Sequence, residues 1–200
     1  MEAKTQRSEL TRAAIVGAAL DLAAAEGLES ISLQAVADRI GLSKSGVFSR
    51  VGSRETLQKA VVEEFGRRFI DDVFVPAMQQ PKGLPRLETI VQRWIVRTRD
   101  VEAHTGCIFS AGAFELDDRE GPLRELLHSE ILRWRSALRR TVLQAVEAGH
   151  LKPDTDAEQL VREIYGLMLG MVHEVRFMRD ARAAERTQAA WARLLASYRA

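Results

Sequence analysis

The sequence predicts an all-α protein, with a small N-terminal unit that holds a helix-turn-helix and a larger helical unit behind it. Apolar residues recur at i, i+3, i+4 and i+7 along nearly the whole chain. The apolar/polar alternation that a half-buried strand needs is not sustained over any useful length. None of the five prolines precedes Pro76, so several helices can follow one another before it with only glycine and serine between them.

The elements follow in order. Residues 8–26 carry Ile15, Ala19, Leu22 and Ala23 on one helical face and stop at Gly27. Residues 33–40 carry Leu33, Val36, Ala37 and Ile40, with Ser32 as N-cap and Gly41 as the stop. A short helix over 44–51 follows, capped by Ser43. Ser53 opens the next helix, in which Leu57, Val61, Phe65, Phe69 and Val73 recur every fourth residue. The stretch from Pro76 to Pro85 reads as a loop and as a junction between units. Beyond it, helices are expected near 84–103, 106–117, 123–148, 156–179 and 183–198, with Thr155-Asp-Ala-Glu158 as a capping box. Two domains are expected, 1–54 with the helix-turn-helix at 32–51, and 55–200.

Composition excludes several classes. At 46% hydrophobic and 28% charged, the chain has ordinary globular composition and not that of a disordered tail. Lys and Arg balance Asp and Glu to a net charge of +1, so any polyanion site must be a local patch. The single cysteine, Cys107, excludes an internal disulfide framework and a zinc finger of cysteine pairs. No signal peptide precedes the first helix and no apolar run is long enough to span a bilayer, so a soluble cytoplasmic protein is expected.

One local patch stands out. In 32–51 the apolar positions Leu33, Val36, Ala37, Ile40, Leu42, Val47 and Val51 would lock two short helices together. Lys44, Ser45, Gly46, Ser49 and Arg50 are left facing outward, with Phe48 at the margin. Small residues at the front of the second helix let it sit deep in a major groove, where hydroxyls and an arginine can reach base edges or phosphates. The window from Arg39 to Arg54 also holds Lys44 and Arg50, and no acidic residue. By pattern alone, DNA binding and plain helix packing both remain open.

The surrounding residues resemble a known family. Ala25-Glu26-Gly27 ends the first helix. Then come the Ser32–Ile40 helix, Gly41-Leu-Ser-Lys-Ser-Gly-Val-Phe48, and Ser53-Arg-Glu-Thr-Leu57. This continuous stretch looks like the DNA-binding domain of the TetR family of bacterial transcriptional regulators. Phe48 stands where the family commonly has tyrosine, and Arg54 where lysine is common. Gly106-Cys-Ile-Phe109, Glu115-Leu-Asp117 and Gly149-His-Leu-Lys-Pro-Asp154 resemble the C-terminal ligand and dimer domains of some members. The resemblance implies a dimeric repressor that binds a palindromic operator. It also implies that a ligand in the C-terminal domain moves the fourth helix and spoils the spacing of the two recognition helices. The DNA-binding set is then Ser32, Arg39, Ser43, Lys44, Ser45, Gly46, Phe48, Ser49, Arg50 and Arg54.

The helices at 156–179 and 183–198 suit a symmetric four-helix contact in a homodimer. Gly166 and Gly170 lie four apart and admit a close helix, with Leu167, Met171, Trp191, Leu194, Leu195 and Tyr198 as the accompanying contacts. The bland alternative is that both helices bury into their own core. Trp94, Phe109, Phe114, Trp134 and Met168 are the pocket candidates for a small, largely apolar effector, with His104, Cys107 and His173 as polar options. Ordinary core packing competes at each of them; Cys107 is a redox-sensor candidate against a small buried hydrophobe.

Two rivals remain. Glu125-Leu-Leu-His128 and Glu147-Ala-Gly-His150 match the Glu-x-x-His spacing of a di-iron oxidoreductase. On one helix, His128 and His150 would lie about 33 Å apart and could not share a metal. A helical interaction module with no DNA role is the other rival, and the acid-free basic window speaks against it. No catalytic residue, cofactor, metal or membrane contact is expected.

Overall fold

The computed structural model describes residues 2–200, and the side chains of residue 6 and residues 8–200. The helices are α1 (Glu2–Glu26), α2 (Leu33–Ile40), α3 (Lys44–Val51), α4 (Arg54–Phe69), α5 (Val75–Met78), α6 (Leu84–Arg97), α7 (Ala103–Thr105), α8 (Ile108–Glu115), α9 (Pro122–Glu147), α10 (Ala157–Arg176) and α11 (Ala183–Tyr198). A 3₁₀ turn, Leu28–Ser30, joins α1 to α2. Extended structure among the described residues amounts to one bridge between Leu151 and Arg199. The chain is all-α.

Most expected elements form where the caps and stops put them. Ser32 Oγ accepts from Ala35 N at 3.0 Å and opens α2. Gly41 closes it at φ 68°, a conformation that costs other L-residues dearly. Helix α1 starts six residues earlier than periodicity alone suggests, at Glu2, because residues 2–7 contain no glycine or proline to stop it. The expected Thr155 capping box is corrected by one residue. Asp156 is the N-cap of α10, and its carboxylate accepts from Glu158 N and Gln159 N. Thr155 Oγ1 instead donates to Lys152 O at 2.7 Å.

Two helices end in wider π-type turns. Ile70–Phe74 continues α4, with the Val75 N–H bonded back to Ile70 O. Thr98–Glu102 continues α6 in the same manner. Such i→i+5 turns are uncommon and cluster at functional sites.

The chain forms two compact units. The first comprises residues up to Arg67 together with Cys107–Ser129; the second comprises Arg68–Gly106 and Glu130–Ala200. This division differs from a single cut at residue 54. The Pro76–Pro85 stretch is no junction, since both its ends belong to the second unit. Pro76 follows directly on the π-type turn that leads into α5.

The first unit buries Ile15, Ala19, Leu28, Ile31, Val36, Ala37, Val47, Leu57 and Val61 almost completely. Helix α8 joins it because Gly112 lets the Leu28 side chain approach closely, and Phe65 meets Phe109 edge-on at 4.9 Å. The Glu115 carboxylate then accepts from Leu28 N and Glu29 N, each at 2.8 Å. Gly27, at φ 92°, makes room for that carboxylate; a Cβ there would lie 3.0 Å from its oxygens.

The second unit packs α6, α9, α10 and α11 around Ile90, Leu138, Val142, Leu160, Ile164 and Met168, with a ring cluster of Phe69, Phe74, Trp94 and Trp134 at one end. Near that end Arg97 is buried. It pairs with the Asp72 carboxylate and donates from Nε to Glu102 Oε1 at 3.1 Å. Glu102 is fully buried and also accepts from Thr98 Oγ1 at 3.1 Å. A buried carboxylate of this kind persists only with such partners.

Candidate DNA-binding site

Helix α3 is held by its two buried residues. Val47 and Val51 are buried, and helices α2 and α3 pack on each other and on α1. A helix of eight residues fixed on one side leaves the other side in water. Lys44, Ser45, Phe48, Ser49 and Arg50 are all exposed, Phe48 by 59%. Ser43 Oγ accepts from Gly46 N at 3.1 Å and lies 3.1 Å from Ser45 Oγ. Ser49 Oγ donates to Gly46 O at 2.9 Å. Gly46 sits close enough to Ser43 that a Cβ would come within 3.1 Å of its hydroxyl. The front of α3 is therefore narrow and hydroxyl-lined.

Arg39 and Lys44 are exposed, and among the described contacts neither forms an ion pair. Arg50 Nη1 donates to Ser8 Oγ at 2.6 Å, a neutral partner that leaves its charge uncompensated. Arg54, expected to face DNA, is exposed and also bonds within the unit. Its Nε donates to Ile31 O at 2.7 Å, and its Nη2 to Glu29 O at 2.6 Å and to Glu29 Oε2 at 3.2 Å. Three acceptors in the α1–α2 connection hold that guanidinium, so it braces the unit while its side chain stays 45% exposed. Leu42 also departs from expectation: it is 38% exposed rather than part of the lock. Its N–H bonds to Ala37 O, and left-handed Gly41 turns the chain outward there. Leu33 and Ile40 are half-buried.

The five pocket candidates divide between the two units. Trp94 and Trp134 meet edge-on at 4.8 Å, and Met168 is buried in the same core. Phe109 packs on Phe65 within the first unit, and Phe114 is 70% exposed. His104 and His173 are exposed, while Cys107 is buried and accepts from Ser110 Oγ at 3.3 Å. The second unit also has a cleft of about 650 Å³ between α6 and α11. Sequence reasoning missed it because a cleft between two helices leaves no local pattern; the one legible trace was Arg93 and Arg97, one turn apart on α6.

The dimer candidates divide. Met171, Trp191 and Leu195 belong to their own chain's core, and Leu167, Leu194 and Tyr198 pack partly against it. The reason is that α11 lies along α10 and α6, so their broad apolar stripes face each other. Gly166 and Gly170 remain exposed on α10, and a Cβ at either would meet nothing within 4 Å. Among the described residues no group of three His, Cys, Asp or Glu side chains is placed to hold a metal. His150 of the second Glu-x-x-His accepts from Leu84 N at 3.2 Å. No helix among them is long and apolar enough to cross a membrane.

An exposed, acid-free second helix of a helix-turn-helix precedes a helical unit that is itself recognisable. Residues 83–191 match the family model described as "Tetracyclin repressor-like, C-terminal domain". The chain belongs to the TetR family of transcriptional regulators. TetR-family proteins are DNA-binding, non-enzymatic transcription factors. Solved structures agree on the fold. A TetR-family transcriptional regulator from Cytophaga hutchinsonii is 18% identical, with 96% of each chain covered and a TM-score of 0.81. A TetR regulator from Chloroflexus aurantiacus J-10-FL is 24% identical over 96% of this chain and 95% of its own, with a TM-score of 0.80. AibR, solved with isovaleryl coenzyme A and operator DNA, is 20% identical over 80% of this chain and 85% of its own, with a TM-score of 0.63. No curated protein sequence matches this TetR-family chain.

Proposed function

We propose that this protein is a cytoplasmic homodimeric repressor that binds a palindromic operator through α3 and releases it when a small molecule occupies the second unit. The observation that carries the reading is the exposed face of α3. Lys44, Ser45, Ser49 and Arg50 stand in water beside Arg39, with no acidic side chain in the segment from Arg39 to Arg54. Lys44 and the hydroxyls at the front suit base edges and flanking phosphates; Arg50, at the last turn, suits a phosphate.

Two copies are needed because a helix-turn-helix reads only a half-site. Two recognition helices must enter successive major grooves about 34–36 Å apart, so small changes in their spacing remove affinity. The open glycines of α10 support a partner helix at close range. Helix α4 starts in the first unit and its last residues belong to the second, which gives a ligand a route to that spacing. To swing the population from 1:99 to 99:1 the ligand needs about 5.5 kcal/mol of differential affinity, and operator DNA must weaken the ligand by the same factor.

The test is operator selection from random duplex followed by a mobility shift. The expected result is a palindromic consensus bound by two copies. A protein that enriches no duplex at low salt has no DNA role, and the interaction-module reading would replace this one.

A further inference from the structure

The cleft between α6 and α11 has a chemistry of its own. Its volume, about 650 Å³, is that of a small-molecule site. The floor is apolar, formed by Trp191 and Leu195, with Pro85, Ala192 and Ala196 beside them. Three charged side chains line it: Glu88, Arg93 and Arg199. Arg199 Nη2 donates to Glu88 Oε1 at 2.8 Å, so those two charges cancel. Arg93 is the charge in excess. Its Nε donates to Asp72 O at 3.0 Å, and among the described contacts its two terminal nitrogens make no bond. Gln80, Gln92 and Gln188 complete the lining with amides that can donate or accept.

An apolar floor under one uncompensated guanidinium selects a particular ligand. From this cleft we infer that the effector is a small carboxylate with an apolar body, its head on Arg93 and its body on Trp191 and Leu195. The inference rests on the ligand-responsive reading above and deepens it. The guanidinium fork fits a carboxylate bidentately, while a neutral molecule of the same shape leaves Arg93 without a partner.

The same arginine connects the site to α4. Arg93 and Arg97 lie one turn apart, and both hold Asp72: Arg93 by its backbone carbonyl, Arg97 by its carboxylate. Asp72 lies in the π-type turn that continues α4. A carboxylate that takes Arg93 side-on, through Nε and one terminal nitrogen, displaces the Nε bond to the Asp72 carbonyl and loosens one of these two grips. Arg97 and buried Glu102 keep the other.

The experiment uses the full chain and needs no DNA. Octanoate, octyl phosphate, octanol and octylamine are titrated by calorimetry and by tryptophan fluorescence, to which Trp191 contributes from within the cleft. Octanoate should bind about tenfold or more tightly than octanol, the worth of a charge-assisted hydrogen bond. Arg93→Gln should lower octanoate to the level of octanol. Ala192→Phe, which fills the cleft from an exposed helix position and keeps Arg93 in the sequence, should lose both ligands. Octanoate binding that matches octanol, survives Arg93→Gln, or is absent overturns the assignment, as does a preference for octylamine. Tighter binding of octyl phosphate than of octanoate overturns the carboxylate head in favour of a phosphate. DNA binding is measured separately on the same preparation: operator affinity with no carboxylate binding removes this site alone, whereas carboxylate binding with no operator affinity removes the repressor reading alone.

Discussion

Arg50 illustrates how one side chain divides its work. One terminal nitrogen bonds Ser8, and the rest of the guanidinium faces solvent at the last turn of α3. In the proposed complex, a position so far from the front of the recognition helix meets the DNA backbone rather than base edges. Arg50→Ala should therefore weaken every duplex alike, and the salt dependence of log K should flatten by about one unit. Anisotropy titrations at several salt concentrations check this; a loss confined to one operator position would assign Arg50 to a base instead. Tyr198 offers a test of a different kind. Burial, and then the Glu163 carboxylate that accepts from its hydroxyl at 2.8 Å, push its phenol up to about 12. The folded state thus holds a proton that the unfolded chain releases near pH 10. The stabilisation is complete below pH 10 and is lost as the pH rises through about 12. Denaturant midpoints across that window should fall less steeply in Tyr198→Phe, and the wild type should show a late-titrating phenolate absorbance.

The 3₁₀ turn between α1 and α2 depends on a helix far along the chain. Leu28 N and Glu29 N, exposed as a helix start would expose them, are both satisfied by Glu115 of α8. Arg54 and Arg119 hold the Glu29 side chain from either side. Replacing Glu115 by alanine removes a charged acceptor from two amides, at about 1–3 kcal/mol. The expected outcome is faster amide exchange confined to the α1–α2 connection and α8, with α10 and α11 unaffected. Gly27→Ala should behave similarly, since its Cβ would press on the same carboxylate in a backbone region that alanine rarely adopts. The distance in sequence explains why residues 107–129 were not assigned to the N-terminal unit beforehand: periodicity reports which face of a helix is buried, not against what.

Assembly can be probed through the open glycines. Gly170→Leu introduces a side chain that meets nothing within its own chain. The monomer should be as stable as the wild type or gain about 0.5–1 kcal/mol from helix propensity. A partner helix packed on the same spot would be overpacked by about 1–3 kcal/mol. Sedimentation should show a weaker dimer, and operator affinity should fall with it. A variant that dimerises unchanged would move the interface off this face. Because the substitution separates folding from association, a loss of DNA binding cannot be put down to an unfolded chain if thermal stability is kept.

The helices, their caps and the outward face of α3 were legible in the sequence because they are local. Ser32, Gly41 and Ser43 act within one turn of their own position, and Val47 and Val51 bury whatever lies beneath them. The TetR resemblance was carried by the same short-range features between Gly27 and Leu57. Tertiary structure alone decided the rest. It tied the Arg54 guanidinium to carbonyls of the α1–α2 connection. It put Trp191 and Leu195 in the core of the second unit, beside a cleft. And it set Arg93 and Arg97 on the turn that continues α4. Each of these depends on which distant segment comes to lie against a helix face, and a helical pattern of apolar residues is the same for every partner it can bury.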